Sequence, residues 1–366
     1  MSLAVFFGID QLEIFARDIL NALTFQPDTS AAVASSLILA DRLGVCTHGI
    51  GMLPLYTEMI SAGAINPQAL PSVEYTSGKN IKVDGQLAFG QLTGRKAVSL
   101  GVQTAREHGV AVVGIRNGSH LGRLGEWAQM ATAAGMVFMA LANTGGGAKN
   151  VAAHGGHERK LSTNPLAFGV PTFGVLPFDI IVDFASSQIS GSVIRERYLA
   201  GAPLEDEWTT TDSGQPVSDA GAFMRGMGAL LPLGGRLTGH KGYGLSVVAE
   251  LLGGFAGGMV VGQENPDWFS NAALFTILDP TEFLPIHELE ERVFAVSNHL
   301  RDDYVKLPGE GAFQRALAAK EQGIDVPQHV LDSLRVLSEE IGVPMVGQLN
   351  DIPVGSIDDR NKLKTW

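Results

Sequence analysis

Cysteine is almost absent from this sequence, since Cys46 is the one cysteine in 366 residues. No disulfide bond can form within the chain, which is typical of proteins from a reducing compartment. The sequence begins with MSLAVFFGIDQLE, which lacks the basic start of a signal peptide and turns acidic by Asp10. We therefore expect a cytoplasmic protein.

Positive charge is also scarce, because 38 acidic residues outnumber 26 basic ones and the net charge is -12 at pH 7. A non-specific nucleic-acid binder needs a positive field, so the charge balance argues against that class of protein. A local basic pocket is compatible with an acidic chain. A small anionic molecule therefore remains a candidate partner.

Long apolar runs without polar residues are missing as well. The longest uncharged stretch, Trp127–Ala148, is long enough to span a membrane, but it contains Gln129, Thr132, Asn143 and four glycines. A buried helix followed by a strand and a glycine turn explains this stretch better. We expect no membrane-spanning segment.

The common nucleotide-binding signatures are absent too. No strand is followed by GxGxxG, and no GxxxxGK[ST] loop is present. The sequence gives no support for a conventional Rossmann site or a P-loop. Glycine itself is abundant, at 45 residues, which predicts many tight turns and close backbone approaches.

The hydrophobic pattern predicts helices at both ends of the chain and an α/β body between them. Two amphipathic helices are predicted within 8–45 and a third after Leu53-Pro54, while helical patterns return from 286 to the end. The pattern predicts strands at 80–83, 110–115, 136–142, 165–170, 179–183 and 273–280, and helices at 92–108, 124–134 and 241–254. We expect a mainly helical domain from 1–75 and 286–366, and an α/β domain from 76–285.

The segment Thr47-His48-Gly49 is the first candidate for chemistry. A histidine between a hydroxyl and a glycine can lie at an exposed turn, and its usual pKa suits proton transfer at neutral pH. The alternative is a histidine at a helix end that binds a carbonyl group, and the spacing alone favours that alternative.

The segment from Asn117 to Gly122 lies between a predicted strand and a predicted helix. Backbone N–H groups at a helix start can bind an anion such as pyrophosphate. The alternative is an ordinary turn in which Ser119 caps the helix. His120 is not needed for capping, so both interpretations stand.

Three further segments carry polar groups of interest. Asp183 ends an apolar strand, where its carboxylate either orients a histidine or caps the following turn. Lys241 lies among glycines at a helix start, where it suits a phosphate or ribose contact or is simply solvated. His154 and His157 flank two glycines, but two histidines alone are weak evidence for zinc, and a surface turn is the favoured interpretation.

Six segments in this order resemble the malate/L-lactate dehydrogenase family, whose fold is unrelated to the Rossmann lactate and malate dehydrogenases. They cover nearly the whole chain. Each segment is weak by itself, but the ordered set is highly specific. The six are DRLGVCTHGIGMLPLY (41–56), NGSHLGRLGEWAQMATAAGM (117–136), KLSTNPLAFGVP (160–171), VDFASS (182–187), GHKGYGL (239–245) and LPGEG (307–311).

The resemblance implies a large mixed, mostly antiparallel sheet flanked by helices, with a helical domain built from both chain ends. It also implies a homodimer, NAD or NADP as cofactor, and interconversion of 2-oxo and 2-hydroxy acids. His48 would act as the proton donor, oriented by Thr47 and Asp183, with His120 as the second candidate. The resemblance places these residues around the cofactor: His120, Gly122, Thr144, Asp183, Phe184, Ala185, Ser186, His240, Lys241, Pro308, Gly309 and Glu310.

One departure from the family pattern concerns the substrate. Family members usually carry arginine, which is expected to grip the substrate carboxylate, at the position of Met52. We expect Arg123 to replace it and Met52 to open an apolar wall for larger 2-oxo acids, such as aryl or dicarboxylic acids. The alternatives are a reductase of cyclic imino acids, a non-catalytic homo-oligomer and a metal-dependent hydrolase that uses His154 and His157.

Overall fold

The computed structural model describes residues 5–24, 26–264, 270–302, 304–345 and 347. The eleven described α-helices are α1 Ile9–Thr24, α2 Pro27–Arg42, α3 Leu53–Ser61, α4 Gly90–His108, α5 Leu124–Thr132, α6 Gly191–Leu199, α7 Ala220–Met224, α8 Gly235–Phe255, α9 Ile286–Leu300, α10 Glu310–Gln322 and α11 Gln328–Ile341. The described strands are β1 Phe6–Phe7, β2 Ser72–Ser77, β3 Asn80–Asp84, β4 Val110–Gly118, β5 Val137–Asn143, β6 Val151–Ala152, β7 Arg159–Leu161, β8 Leu166–Val170, β9 Ile180–Phe184, β10 Thr209–Thr210, β11 Ala229–Leu230, β12 Asn271–Leu278 and β13 Ile324–Asp325.

A seven-stranded sheet in the order β2-β3-β4-β12-β5-β8-β9 forms the centre of the molecule. The β3–β4 pair is parallel, and every other neighbouring pair is antiparallel. In the middle strand β12, Leu274 pairs with Gly114 on one side and Leu141 on the other. Helices α4, α5 and α8 pack on the sheet. The predicted mixed, mostly antiparallel sheet flanked by helices is confirmed.

The core of the sheet follows from alternation in its strands. Alternate residues of β4 point inward and are buried, as expected for a strand whose side chains alternate between faces. Trp127 of α5 is fully buried against this layer, and Phe138 and Phe275 meet edge to face with ring centroids 5.1 Å apart. The uncharged stretch 127–148 therefore forms a buried helix, a strand and a glycine turn, as predicted.

Both chain ends contribute to a second, helical core. Its buried residues include Phe15 of α1, Leu37 of α2, Tyr56 of α3 and Leu334 of α11, while β1 pairs with β13. A helical unit from both chain ends is thus confirmed for the described part of the chain. The predicted boundary at 75/76 falls inside β2, which belongs to the sheet, and the predicted helical segment beyond 347 lies outside the described residues.

A small four-stranded sheet, β10-β11-β6-β7, has a core of its own that includes Val151, Ile194, Phe223 and Leu230. The sequence pattern shows 200–235 as loose, but this segment supplies β10, α7 and β11. Strands of two residues are too short to produce a detectable alternation, which is why the pattern misses them.

The structure excludes the alternative in which Ser119 caps α5. Arg123, not Ser119, occupies the N-cap position of α5, and the Ser119 hydroxyl donates to the Ala88 carbonyl at 2.7 Å. Within the described residues, no helix is both long and apolar enough to cross a membrane.

Candidate active site

A cavity of about 590 Å³ opens between the helical unit and the C-terminal ends of β5 and β9. The polar side chains around it come from segments that are far apart in the sequence. They include Thr47, His48, His120, Arg123 and Asp183. The fold therefore brings the first three sequence candidates into one cleft.

His48 lies in a short turn whose backbone is held by a hydrogen bond to Asp41, near the end of α2. The Ile50 N–H donates to Asp41 Oδ2 at 2.6 Å. A Cβ on Gly49 would lie 1.8 Å from Asp41 Oδ1, so glycine is required where the turn passes over the carboxylate. Burial raises the pKa of Asp41 to about 7, and the Ile50 N–H opposes that rise. The role of this residue is not evident from the sequence pattern.

The His48 ring has two neighbours in the cleft. Its Nδ1 lies 3.1 Å from the Thr47 hydroxyl, and its ring stacks on His120 with centroids 5.5 Å apart and planes at 19°. Burial, and then the positive charge of Arg123, lower the pKa of His48 to about 4. His48 is therefore neutral at pH 7 in the free protein.

The hydroxyl of Tyr56 contacts Nδ1 of His120. The Tyr56 hydroxyl lies 3.1 Å from His120 Nδ1, and Gln91 Nε2 donates to the same hydroxyl at 2.7 Å. Burial, and then the nearby His48, lower the pKa of His120 to about 3. Neither Tyr56 nor Gln91 is indicated as a site residue by the sequence pattern. Tyr56 ends the segment 41–56, but nothing in its spacing points to a histidine 64 residues away.

Arg123 is a buried cation, with 7% of its surface exposed. Its Nη2 donates to Gln129 Oε1, and the carboxylates of Asp183 and Glu126 act on it electrostatically. Its Nε is buried and has no partner among the residues that the structure describes. An unsatisfied buried N–H costs free energy, so this side chain is suited to receive an anion.

The side chain of Asp183, in β9, contacts the first turn of α5 and does not contact a histidine as expected. Its Oδ2 accepts a hydrogen bond from the Gly125 N–H at 2.7 Å. Burial raises the pKa of Asp183, while the Gly125 N–H and Arg123 oppose that rise. Across the described ranges, no hydrogen bond joins Asp183 to His48. The alternative, in which Asp183 caps the turn that follows it, is not observed either. Its carboxylate instead caps α5 through the Gly125 N–H.

Half of the residues expected around the cofactor line the cavity, namely His120, Gly122, Thr144, Asp183, Phe184 and Ala185. The Thr144 hydroxyl oxygen is buried and finds no partner within the described part of the chain. Ser186 does not line the cavity, because it is buried and donates its hydroxyl to the Thr163 carbonyl at 3.0 Å.

The other expected cofactor residues lie elsewhere. His240 and Lys241 are exposed on α8. Gly309 packs at the opposite end of β9, where a Cβ would lie 2.5 Å from the Asp179 carbonyl oxygen. Glu310 Oε2 accepts from the Leu307 N–H at 3.1 Å, which is a structural contact. None of these four residues lines the cavity described above.

His154 and His157 do not face a common centre. The His154 ring packs edge to face on His240, with centroids 5.7 Å apart, whereas His157 Nδ1 lies 3.3 Å from the Thr210 hydroxyl. No group of three or more histidine, cysteine, aspartate or glutamate side chains is arranged to hold a metal ion in the ranges described. The geometry gives the hydrolase alternative no support.

The protein is an α/β protein with a large mixed sheet. Two stacked histidines and a buried arginine line one cleft, an arrangement typical of an active site. Residues 7–335 match the model of the family described as malate/L-lactate dehydrogenase. The L-lactate dehydrogenase of Cupriavidus necator is 35% identical over 322 residues, which are 85% of this chain and 91% of that protein. The chain belongs to the malate/L-lactate dehydrogenase family.

Two solved structures show the same fold. A putative malate/lactate dehydrogenase from E. coli superposes with a TM-score of 0.85 at 27% identity, covering 93% of this chain and 96% of that one. The delta1-piperideine-2-carboxylate reductase from Pseudomonas syringae pvar. tomato superposes with a TM-score of 0.78 at 28% identity, covering 91% and 99%. The chain is thus an oxidoreductase of this non-Rossmann family.

Proposed function

We propose that this protein is an NAD(P)-dependent dehydrogenase that interconverts 2-oxo acids and 2-hydroxy acids. The observation that carries the proposal is the cleft in which His48 stacks on His120 beside the buried Arg123. A proton-transfer group and a carboxylate-binding cation are the two protein groups that this reaction needs.

His48 is the group that moves the proton. In the direction of oxidation, neutral His48 accepts the hydroxyl proton as the C2 carbonyl forms, and in reduction the protonated ring returns it. Thr47 orients the ring through the 3.1 Å contact at Nδ1. General acid–base help of this kind contributes about 10²- to 10⁴-fold in rate.

Arg123 binds the substrate carboxylate in this proposal. Its partly unsatisfied guanidinium lies in the cleft, close enough to His48 to lower the pKa of that ring. Met52, which is 4% exposed, lines the same cleft and belongs to the helical core. An apolar side chain at this position leaves room for the larger 2-oxo acids expected from the sequence.

Several of the residues expected around a nicotinamide cofactor line the cavity, and their chemistry fits such a cofactor. Gly122, Thr144, Phe184 and Ala185 line the cavity, and the Thr144 hydroxyl is a buried polar atom with a hydrogen bond still to make. When bound, the nicotinamide would supply or accept the hydride at C2. The protein's contribution is to orient the acid, exclude water and hold the proton.

A spectroscopic assay with a substrate panel tests the proposal. Purified protein is mixed with NAD+ or NADP+ and a set of 2-hydroxy acids, and with the reduced cofactors and the matching 2-oxo acids. We expect a change in the nicotinamide absorbance band with at least one acid and one cofactor. No change with either cofactor across aryl, alkyl and dicarboxylic acids would remove the proposal.

Reduction of a cyclic imino acid is the second candidate, because the chain shares its fold with a piperideine-2-carboxylate reductase over 91% of its length. An imine carbon next to a carboxylate needs the same hydride position and the same cation. Adding Δ1-piperideine-2-carboxylate to the panel distinguishes the two, since kcat/KM ranks the competing substrates directly.

We also propose that the protein is a homodimer. Helix α8 exposes an apolar stripe of Leu245, Val248, Leu251 and Phe255, and α9 exposes Phe294. Residues spaced in this way share one helix face, and contiguous exposed apolar surface is a mark of an interface. Light scattering coupled to size exclusion should give twice the chain mass of 38.7 kDa, and a mass of one chain would refute the dimer.

A further inference from the structure

Two helices meet at one side of the His120 ring. Gln91 from α4 donates to the hydroxyl oxygen of Tyr56 from α3 at 2.7 Å, and that hydroxyl lies 3.1 Å from His120 Nδ1. Gln91 and Tyr56 are each 1% exposed. Water therefore does not compete for these hydrogen bonds.

The direction of these hydrogen bonds follows from the number of donors and acceptors that each group has. A phenol has one O–H to donate, and its oxygen here accepts the amide N–H of Gln91. With Gln91 Nε2 on the phenol oxygen, the acceptor that the described residues offer to the Tyr56 O–H is His120 Nδ1, while Gln91 Oε1 is buried without a partner among them. A buried O–H without an acceptor costs about 1–3 kcal/mol, so the arrangement strongly favours an unprotonated Nδ1.

We propose that Gln91 and Tyr56 are positioning residues that hold His120 as the neutral tautomer with its proton on Nε2. In this form His120 is a hydrogen-bond donor to an oxygen of the 2-oxo or 2-hydroxy acid, and it is not the base. The inference rests on the proposed function for the identity of the substrate, but the tautomer itself does not depend on it.

His48 differs from His120 in the partner of its Nδ1. The Thr47 hydroxyl can rotate either to donate to that nitrogen or to accept from it. His48 can therefore gain and lose a proton without leaving a buried group unsatisfied. The two stacked rings thus have different roles: His48 transfers the proton, and His120 donates a hydrogen bond through its Nε2–H.

The electrostatics of the cleft agree with this division. Burial and the neighbouring His48 lower the pKa of His120 to about 3, so the ring stays neutral at any working pH. Burial also raises the pKa of Tyr56, which keeps its O–H available as a donor. A neutral imidazole that donates through one nitrogen is a known means of stabilising a developing oxyanion.

The test is ¹⁵N NMR of protein in which the nine histidines are labelled, without substrate or cofactor. The signals of His120 are assigned by their loss in His120→Gln. We expect the signature of the Nε2–H tautomer, unchanged from pH 5 to pH 8. An Nδ1–H tautomer or an imidazolium at neutral pH in the unmodified protein would overturn the inference, and this measurement needs no positioning variant to fold.

Tyr56→Phe removes the donor while leaving the ring volume. We expect its His120 to become a mixture of tautomers and kcat to fall by about 10- to 100-fold with little change in KM, because the lost alignment matters most as charge develops. The matched control Tyr304→Phe, at a tyrosine that is 95% exposed, should change neither quantity. An unchanged tautomer and kcat in Tyr56→Phe would also contradict the inference.

The two proposals fail in different ways. If His120 is the Nε2–H tautomer but no hydroxy acid is oxidised, the proposed function fails while the positioning role stands. If an acid is turned over but His120 carries its proton on Nδ1, only the positioning role fails.

Discussion

The rings of His48 and His120 stack with their planes 19° apart, yet each ring has a different hydroxyl at its Nδ1. Two equivalent histidines would compete for the same proton. In the proposed mechanism, the unequal partners, Thr47 and Tyr56, give the rings unequal roles. We therefore expect different losses of activity when His48 and the partners of His120 are replaced.

Replacement of His48 should separate chemistry from binding. His48→Ala is expected to lower kcat by about 10²- to 10⁴-fold, because the proton loses its carrier, while the affinity for the nicotinamide cofactor stays within a few-fold. Steady-state kinetics and fluorescence titration give the two numbers. His108→Ala, at an exposed histidine at the end of α4, is the control. Turnover that survives in His48→Ala and is lost in His120→Ala would reverse the assignment.

Arg123→Ala should raise KM for 2-oxo acids by about 10- to 100-fold, since a charge-assisted hydrogen bond contributes roughly 1.5–3 kcal/mol. The effect should be present for every carboxylate substrate, because the proposed contact is to the carboxylate they share. Arg106→Ala, at an exposed arginine of α4, should leave KM unchanged. An unchanged KM in Arg123→Ala would remove Arg123 from substrate binding.

The pH dependence of kcat/KM should report the lowered pKa of His48. With that pKa at about 4, the neutral base persists down to about pH 5, so oxidation should be flat from pH 5 to pH 8. Reduction needs the protonated ring, so its kcat/KM should fall about tenfold per pH unit above the pKa.

Arg123→Gln should shift both profiles to higher pH, because it removes a positive charge that lowers the pKa of His48. Profiles recorded over the same range with the unmodified protein provide the comparison. A reduction rate that stays constant between pH 5 and pH 8 would be incompatible with proton donation by His48.

Asp41 should make the protein less stable as the pH rises. Its pKa is raised from 3.8 to about 7 in the folded state, so between those values the folded chain holds a proton that the unfolded chain has lost. Stability therefore decreases from about pH 4 to pH 7, by up to about 4 kcal/mol. The lowered pKa values of His48 and His120 act in the opposite direction below pH 6.5.

Comparison with Asp41→Asn isolates this contribution, because the two histidines are common to both proteins. Urea unfolding at pH 5 and pH 8 should show the variant gaining stability relative to the unmodified protein by roughly 2–4 kcal/mol. A difference that does not change with pH would show that Asp41 is ionised in the fold at both values.

Gly94 of α4 touches the buried indole of Trp127, and a Cβ at this position would lie 2.3 Å from Cε2 of that ring. Gly94→Ala should therefore destabilise the protein by about 1–3 kcal/mol, despite the better helix propensity of alanine. Gly311→Ala in α10, where the nearest atom to an added Cβ is Arg315 Nη1 at an ordinary 3.8 Å, is the matched control, with an expected gain of up to about 1 kcal/mol. Equal effects at the two sites would contradict this packing.

The long, periodic elements of the sheet were accessible to sequence analysis. Strands β4, β5 and β12 bury alternate side chains over seven to nine residues, and such a pattern is visible without a structure. The two-residue strands β10 and β11 were missed because their pairing is decided by contacts across the chain rather than by a local pattern.

The sequence by itself determined the family, the apolar layers and the presence of His48, Arg123 and Asp183, because these depend on residue type and local spacing. Only the tertiary structure decided their relations. It assigned the Asp183 carboxylate to the Gly125 N–H and brought Tyr56 and Gln91 to His120 from two other helices. Hydrogen bonds between distant segments depend on distance and direction in space, and the order of residues along a chain does not encode either of these locally.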